Sequence, residues 1–189
     1  MNVMIIPEDP TNDHYLLLPL FERLFASIGR PQTKVTICLN PRMRGINDAL
    51  NTNRLRDVVA RYPMVDYFIL CVDRDGNKKR RDRLNEIENL FSGKTTLIAE
   101  NAWEELETWM LAGLSLPGSW NWATVRAEVS VKERYFEPLA RQMGLANGPG
   151  GGRKEMGALA ARRIPAIRRK CTEDFGDLTK RLQSLLNTV

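Results

Sequence analysis

Histidine and cysteine are scarce in this chain, with one His and three Cys among 189 residues. Cys38, Cys71 and Cys171 are an odd set without CxxC spacing, which argues against a disulfide framework and against a zinc site. Cys38 and Cys71 fall inside apolar runs and read as small core residues. His14 reads as a surface residue rather than a base. Long hydrophobic runs are also missing: no stretch reaches the ~18 uninterrupted apolar residues of a membrane helix. The N-terminus lacks the basic, apolar, small-residue order of a secretory signal, so a cytoplasmic location is the expectation. The glycine-rich stretch Asn147–Gly152 lacks the GxxxxGK[ST] pattern and follows no strand, so it reads as a flexible loop and not as a phosphate cradle. There is no internal repeat.

What is present suits one globular unit with a sizeable core, since 43% of residues are hydrophobic and 27% charged. The net charge of +5 is unevenly spread. Lys78, Lys79, Arg80 and Arg81, with Arg83, form one basic run. Arg153, Lys154, Arg162, Arg163, Arg168, Arg169 and Lys170 form a second, opposed only by Glu155. Two solvated helix faces would account for them. Attraction for a polyanion is the alternative, strengthened because the first run directly follows an acidic cluster.

Hydrophobic spacing gives the order of elements. Val3–Ile6, Lys34–Leu39, Asp66–Val72 and Thr95–Ala99 read as strands. Helices are expected from Asn12 to Gly29, from about Ile46 to Arg61, near Arg80–Phe91 and from about Ala102 to Leu114. This alternation predicts an α/β fold with a mostly parallel four-stranded sheet and helices on both faces. After Leu116 the character changes to a turn with exposed-looking Trp120 and Trp122. Helices then follow over roughly Val131–Met143, Lys154–Ala161 and Phe175–Leu186. Residues 1–116 thus form the α/β core, and residues 117–189 a helical C-terminal extension packed on it.

Two apolar strands end in acids: Glu8-Asp9 after the first, Asp73-Arg74-Asp75 after the third. Ligands of open parallel sheets bind beyond the carboxyl ends of the strands. If these strands are neighbours, the acids meet at one edge. Carboxylates about 5 Å apart repel by roughly 3 kcal/mol per pair at an effective dielectric of about 20. Such a cluster protonates, finds basic partners or holds a divalent cation. An EF-hand is excluded, because Lys78 and Leu84 stand where that loop needs Gly and Glu. A third acidic group comprises Glu100, Glu104, Glu105 and Glu107. For Glu100 the simplest reading is a charge complementing a helix dipole.

These motifs resemble the Toprim superfamily, found in topoisomerases, primases and nucleases of the overcoming-lysogenization-defect type. The resemblance covers about residues 1–114. Its early "EG-x-x-D/E" segment is matched by Glu8-Asp9-Pro10-Thr11-Asn12-Asp13, its acidic pair by Asp73-Arg74-Asp75, and its "E-x-W-x-L" motif by Glu107-Thr108-Trp109-Met110-Leu111. Asp9 stands in place of the family's Gly, and the second acid falls at Asp13 rather than at Asn12. What the resemblance implies is a Rossmann-like Toprim core and a Mg²⁺- or Mn²⁺-dependent nuclease, with phage defence as the expected setting. Asp73 and Asp75 would be metal ligands, Glu8 a ligand or the general acid/base, and Glu107, or alternatively Glu104, would complete the shell. Asp9 and Asp13 would be a helix cap and a metal ligand in either order, and Arg153 or Lys154 would neutralise the transition-state phosphate. Oxygen donors suit hard divalent ions, and no His or Cys cluster competes. Lys78, Lys79, Arg80, Arg81, Arg153, Lys154, Arg162 and Arg163 would face DNA or RNA. The rival expectation is a non-catalytic protein that keeps the fold and binds nucleic acid or a protein partner. Any partner subunit and a homodimeric state stay open.

Overall fold

A computed structural model describes residues 1–93 and 96–187. The expected strand start at Thr95 and the last two residues of the expected extension lie outside the described residues. Strands β1 (Asn2–Pro7), β2 (Lys34–Ile37), β3 (Tyr67–Asp73) and β4 (Thr96–Ala102) form one sheet in the order β2-β1-β3-β4, every pair parallel. Strand side chains alternate between faces, and this alternation splits the core in two. Val3, Ile5, Ile69, Cys71 and Ile98 lie on one face with helix α1 (His14–Ser27) and helix α5 (Glu107–Gly113). Met4, Ile6, Phe68, Leu70, Val72 and Leu97 lie on the other. There they meet α2 (Ile46–Ala49), α3 (Thr52–Arg61) and α4 (Arg80–Phe91). The chain is therefore an α/β protein with helices on both faces of an all-parallel sheet.

Residues beyond Leu116 form α6 (Trp122–Ala127), α7 (Glu137–Gln142), α8 (Arg153–Ala161), α9 (Ile164–Lys170) and α10 (Asp177–Asn187). Their buried side chains, among them Phe136, Met156, Ile167 and Phe175, belong to the same apolar cluster as α1 and α5. Phe175 packs edge-on against Trp109 and Phe21, with ring centroids 5.2 and 6.4 Å apart. The sheet's outer edge at β4 is closed by side chains: the Ala99 N–H donates to Glu88 (2.6 Å), and Arg181 of α10 donates to the Ala99 carbonyl (3.3 Å). Unpaired strand edges are liable to pair with other chains, and these contacts cover one. Among the described residues no helix is long and apolar enough to cross a membrane.

Several local expectations change. The helix expected over Ile46–Arg61 is two helices, because Asn51 takes the N-cap of α3 and accepts from Asn53 and Arg54 N–H. β4 runs on to Ala102, and α5 begins only at Glu107. Trp120 and Trp122 are half-buried rather than exposed: Trp120 packs on Tyr135 at 4.9 Å, and Trp122 donates to the Lys170 carbonyl. The glycine stretch is a turn over Pro149–Gly152, with left-handed Gly150 and Gly151, that leads into α8. At Gly150, φ is +64°, and a Cβ there would lie 2.7 Å from the Tyr15 ring.

α8 lies close between two neighbours. A Cβ on Gly157 would meet the Tyr15 carbonyl oxygen at 2.7 Å, and one on Gly113 of α5 would meet the Ala160 carbonyl oxygen at 2.7 Å. Backbone on backbone leaves no flexible atom to yield. Gly157→Ala is accordingly expected to destabilise the protein by about 1–3 kcal/mol, the usual range for overpacking. A urea unfolding midpoint equal to that of the unaltered chain would refute the close approach.

Candidate functional site

β1 and β3 are direct neighbours in register, Pro7 level with Cys71. The acids that follow them therefore emerge side by side at the carboxyl edge. The Asp73 backbone N–H supports the Glu8 carboxylate, and the Gly45 N–H donates to the Glu8 carbonyl (2.9 Å), closing the β2–α2 loop over the end of β1. The loop into α1 separates the roles of its two aspartates. Asp9 is the turn former: its carboxylate accepts from the Thr11 N–H (2.9 Å) and the Asn12 amide (2.7 Å). Asp13 accepts from the Asp9 N–H (3.1 Å) and faces the cluster, where Glu107 and Glu8 act on it. Asp73 accepts from the Leu106 N–H (2.8 Å).

Glu104 serves as a staple rather than a member of the cluster. Its carboxylate takes the Arg74 guanidinium (2.7 Å) and the Gly76 N–H (2.6 Å), while its carbonyl takes the Arg74 and Asp75 N–H groups (2.7 and 3.1 Å). The φ angles of Asp75 (+51°) and Glu104 (+69°) are both left-handed, a conformation uncommon outside glycine. Arg74 in turn lies 3.9 Å from the Trp103 ring centroid. Asp174, buried in the C-terminal part, fixes the start of this loop by accepting from the Trp103 N–H (2.8 Å) and Trp109 Nε1 (2.9 Å) while pairing with Arg126 (3.0 Å).

The cluster is electrostatically loaded. Burial, then the Asp75 charge, lifts the Glu8 carboxyl from 4.5 to about 7. Burial, then Glu107, lifts Asp13 from 3.8 to about 8. Asp73 stands well above the usual carboxylate range, through burial and then the charges of Glu107, Glu8 and Asp13. Burial also raises Asp75, against the pull of Arg80 3.7 Å away. Two cations answer these acids from inside the fold. Arg153 is buried, donates its Nε to Glu107 (3.0 Å), pairs with the same carboxylate through Nη2 and holds the Gly150 carbonyl (2.8 Å). Arg80 is buried beside Asp75. Two of the polar atoms left buried without a partner are Glu8 Oε2 and Arg80 Nε. Among the described residues, no three His, Cys, Asp or Glu side chains are arranged as a group able to hold a metal ion.

The eight basic residues expected at a nucleic-acid surface divide. Lys78, Lys79, Lys154, Arg162 and Arg163 are exposed, with Arg163 donating to Ser115 Oγ. Arg80 and Arg153 serve the acidic cluster. Arg81 pairs with Glu88 (3.3 Å) and Glu100 (2.8 Å). Glu100 is not a helix-start acid: it lies within β4, 3% exposed, and takes Arg81 and Arg181, with burial lifting it to about 7. Arg42 and Arg44, exposed on the loop that closes over Glu8, are cations at this edge that the charge runs did not reveal. Only the turn signals Pro41 and Gly45 mark that loop in the sequence. Comparison of the chain with protein-family models, curated proteins and solved structures returned no match.

Because Glu8 and Asp13 titrate higher when folded than their ordinary 4.5 and 3.8, the folded state binds extra protons between about pH 4 and pH 8. Stability from this source is present at low pH and is lost as pH rises. In EDTA, the melting temperature is expected to fall between pH 5 and 8 (about 2–4 °C per kcal/mol for a chain of this size), and Asp13→Asn is expected to flatten the fall and to melt higher at about pH 8. Parallel profiles for the two proteins would contradict the crowding of charge.

Proposed function

We propose that this chain is a Mg²⁺- or Mn²⁺-dependent nuclease with a Toprim-like core. The observation that carries the reading is the meeting of Glu8, Asp13, Asp73 and Glu107 at the carboxyl edge of two adjacent parallel strands, with Glu8 Oε2 buried and unpartnered. Carboxylate oxygens are the donor type that a hard divalent ion takes. The four side chains would have to draw together around it, since no three are so arranged among the described residues. Glu8 and Asp73 would hold it, with Asp75 and Asp13 beside them. Such an ion, when bound, polarises a phosphoryl oxygen and acidifies water. Glu8, lifted to about 7, is suited to take or return a proton near neutral pH. Arg80, buried with its Nε unpartnered, presents positive charge where a phosphate's charge would grow. Lys78 and Lys79, exposed just before α4, offer sequence-independent attraction to the polymer.

A second reading, a non-catalytic nucleic-acid-binding protein, draws support from two observations. Glu107 is already neutralised by Arg153, and no three acids form a ready coordination group among the described residues.

Plasmid, single-stranded DNA and RNA incubated with Mg²⁺ or Mn²⁺ test the first reading. Cleavage should vanish in EDTA and fall about 10²-fold or more in Glu8→Gln and Asp73→Asn, the scale of a lost acid/base or ligand. Cleavage unchanged in both variants would overturn the site. Absence of cleavage with salt-sensitive binding would favour the second reading.

A further inference from the structure

A hollow of about 700 Å³ lies between the start of α1 and the edge strand β2, outside the acidic cluster. Its volume falls in the range of small-molecule sites. The rings of His14 and Tyr15, 3.8 Å apart at their centroids, form one wall. Leu18, Ile37 and Leu39 supply an apolar surface, with Leu39 63% exposed. At one end stands Arg42, exposed, its guanidinium donating to the Thr11 hydroxyl. His14 Nδ1 faces the Pro10 carbonyl (2.9 Å), which fixes the ring at the rim.

Pro10 and Thr11 line this hollow, while the same loop, through the Asp9 N–H, holds Asp13 toward the cluster. The hollow and the acids therefore share one wall. An apolar slot with aromatic rings and a single guanidinium at its mouth matches one planar base with its phosphate: rings and carbon surface for the base, a cation for the charge. Bases inside a duplex are stacked and paired and cannot enter it, whereas an unpaired base can.

We propose that the hollow takes one unpaired base of single-stranded nucleic acid, with Arg42 on an adjacent phosphate, so that the strand continues over the residue 9–13 loop to the carboxylates. This deepens the nuclease reading and rests on it for the polymer that reaches this edge.

The test uses full-length Asp73→Asn protein in EDTA and a fluorescein-labelled oligothymidylate, so that binding is read without turnover. The oligothymidylate should bind more tightly than a duplex of the same length. Thymidine 5′-monophosphate should compete for it and inorganic phosphate should not. Arg42→Ala and Leu39→Glu, both at exposed positions, should each weaken binding by about tenfold, equivalent to about 1.4 kcal/mol. No binding, equal affinity for duplex, equal competition by inorganic phosphate, or unaltered affinity in both variants would overturn the proposal. The two readings fail separately. Wild-type protein that binds thymidine 5′-monophosphate but cleaves nothing refutes the nuclease and leaves the hollow. Cleavage lost in Asp73→Asn, with binding untouched by Arg42→Ala and Leu39→Glu, refutes the hollow alone.

Discussion

Carboxylates that repel one another are held together here because the backbone gives them nowhere else to go. The register of β1 against β3 places Glu8 and Asp73 at one rim, and both are partly withdrawn from water. Asp13 and Glu107 approach from the residue that precedes α1 and the start of α5. Burial removes the solvent that would otherwise screen them. Protons, buried arginines or a bound cation must supply the missing positive charge, and the fold provides two arginines for at least four acids. The raised titration of Glu8, Asp13 and Asp73 expresses burial first and their mutual repulsion second.

The helices after Leu116 belong to this arrangement and do not merely decorate it. Gly157 and Gly113 let α8 pack backbone to backbone against α1 and α5, which brings Arg153 to Glu107 across 46 residues of sequence. Removing one partner of such a buried pair costs about 3–5 kcal/mol, because the other charge is left uncompensated. Asp174 performs the same service one step away, anchoring Trp103 and Trp109 and so the segment that presents Glu104 and Leu106 to the β3 loop. The loop bearing Asp73 and Asp75 is thus held from both sides: by Glu104 within the α/β core, and through that segment by the C-terminal helices.

Much of this was readable from residue order. The four strands and most of the helices between them follow from apolar runs and their spacing, while the meeting of Glu8 with Asp73 was conditional on β1 and β3 being neighbours, which the sheet order supplies. What was not readable depends on three-dimensional partners. A helix from Ala102 fits the local pattern, yet Trp103 gives its N–H to Asp174, Glu104 its carbonyl to the Arg74 and Asp75 N–H groups and Leu106 its N–H to Asp73, and Glu104 adopts a left-handed φ, so the helix waits until Glu107. Arg81 and Arg153 look like surface charge in one dimension, and only packing shows them paired with Glu100 and Glu107. The short helices α6 and α9 did carry signals, the Asn121 cap and Pro165 in the first helical turn, but each is too brief for periodicity to stand out. Asp9 and Asp13 were separable only once the Asx turn at Asp9 was seen.

If a divalent ion takes the place of protons at the clustered acids, as the proposed function requires, the stability of the fold becomes ion-dependent. Thermal unfolding with and without Mn²⁺ tests it directly, at about pH 5.5 and about pH 8, since a cation competes with protons for the same oxygens. The expected result is a Mn²⁺-dependent rise in melting temperature that is larger at the higher pH and absent in the Glu8→Gln/Asp73→Asn double variant. No effect of Mn²⁺ at either pH, or an equal effect in the double variant, would contradict it.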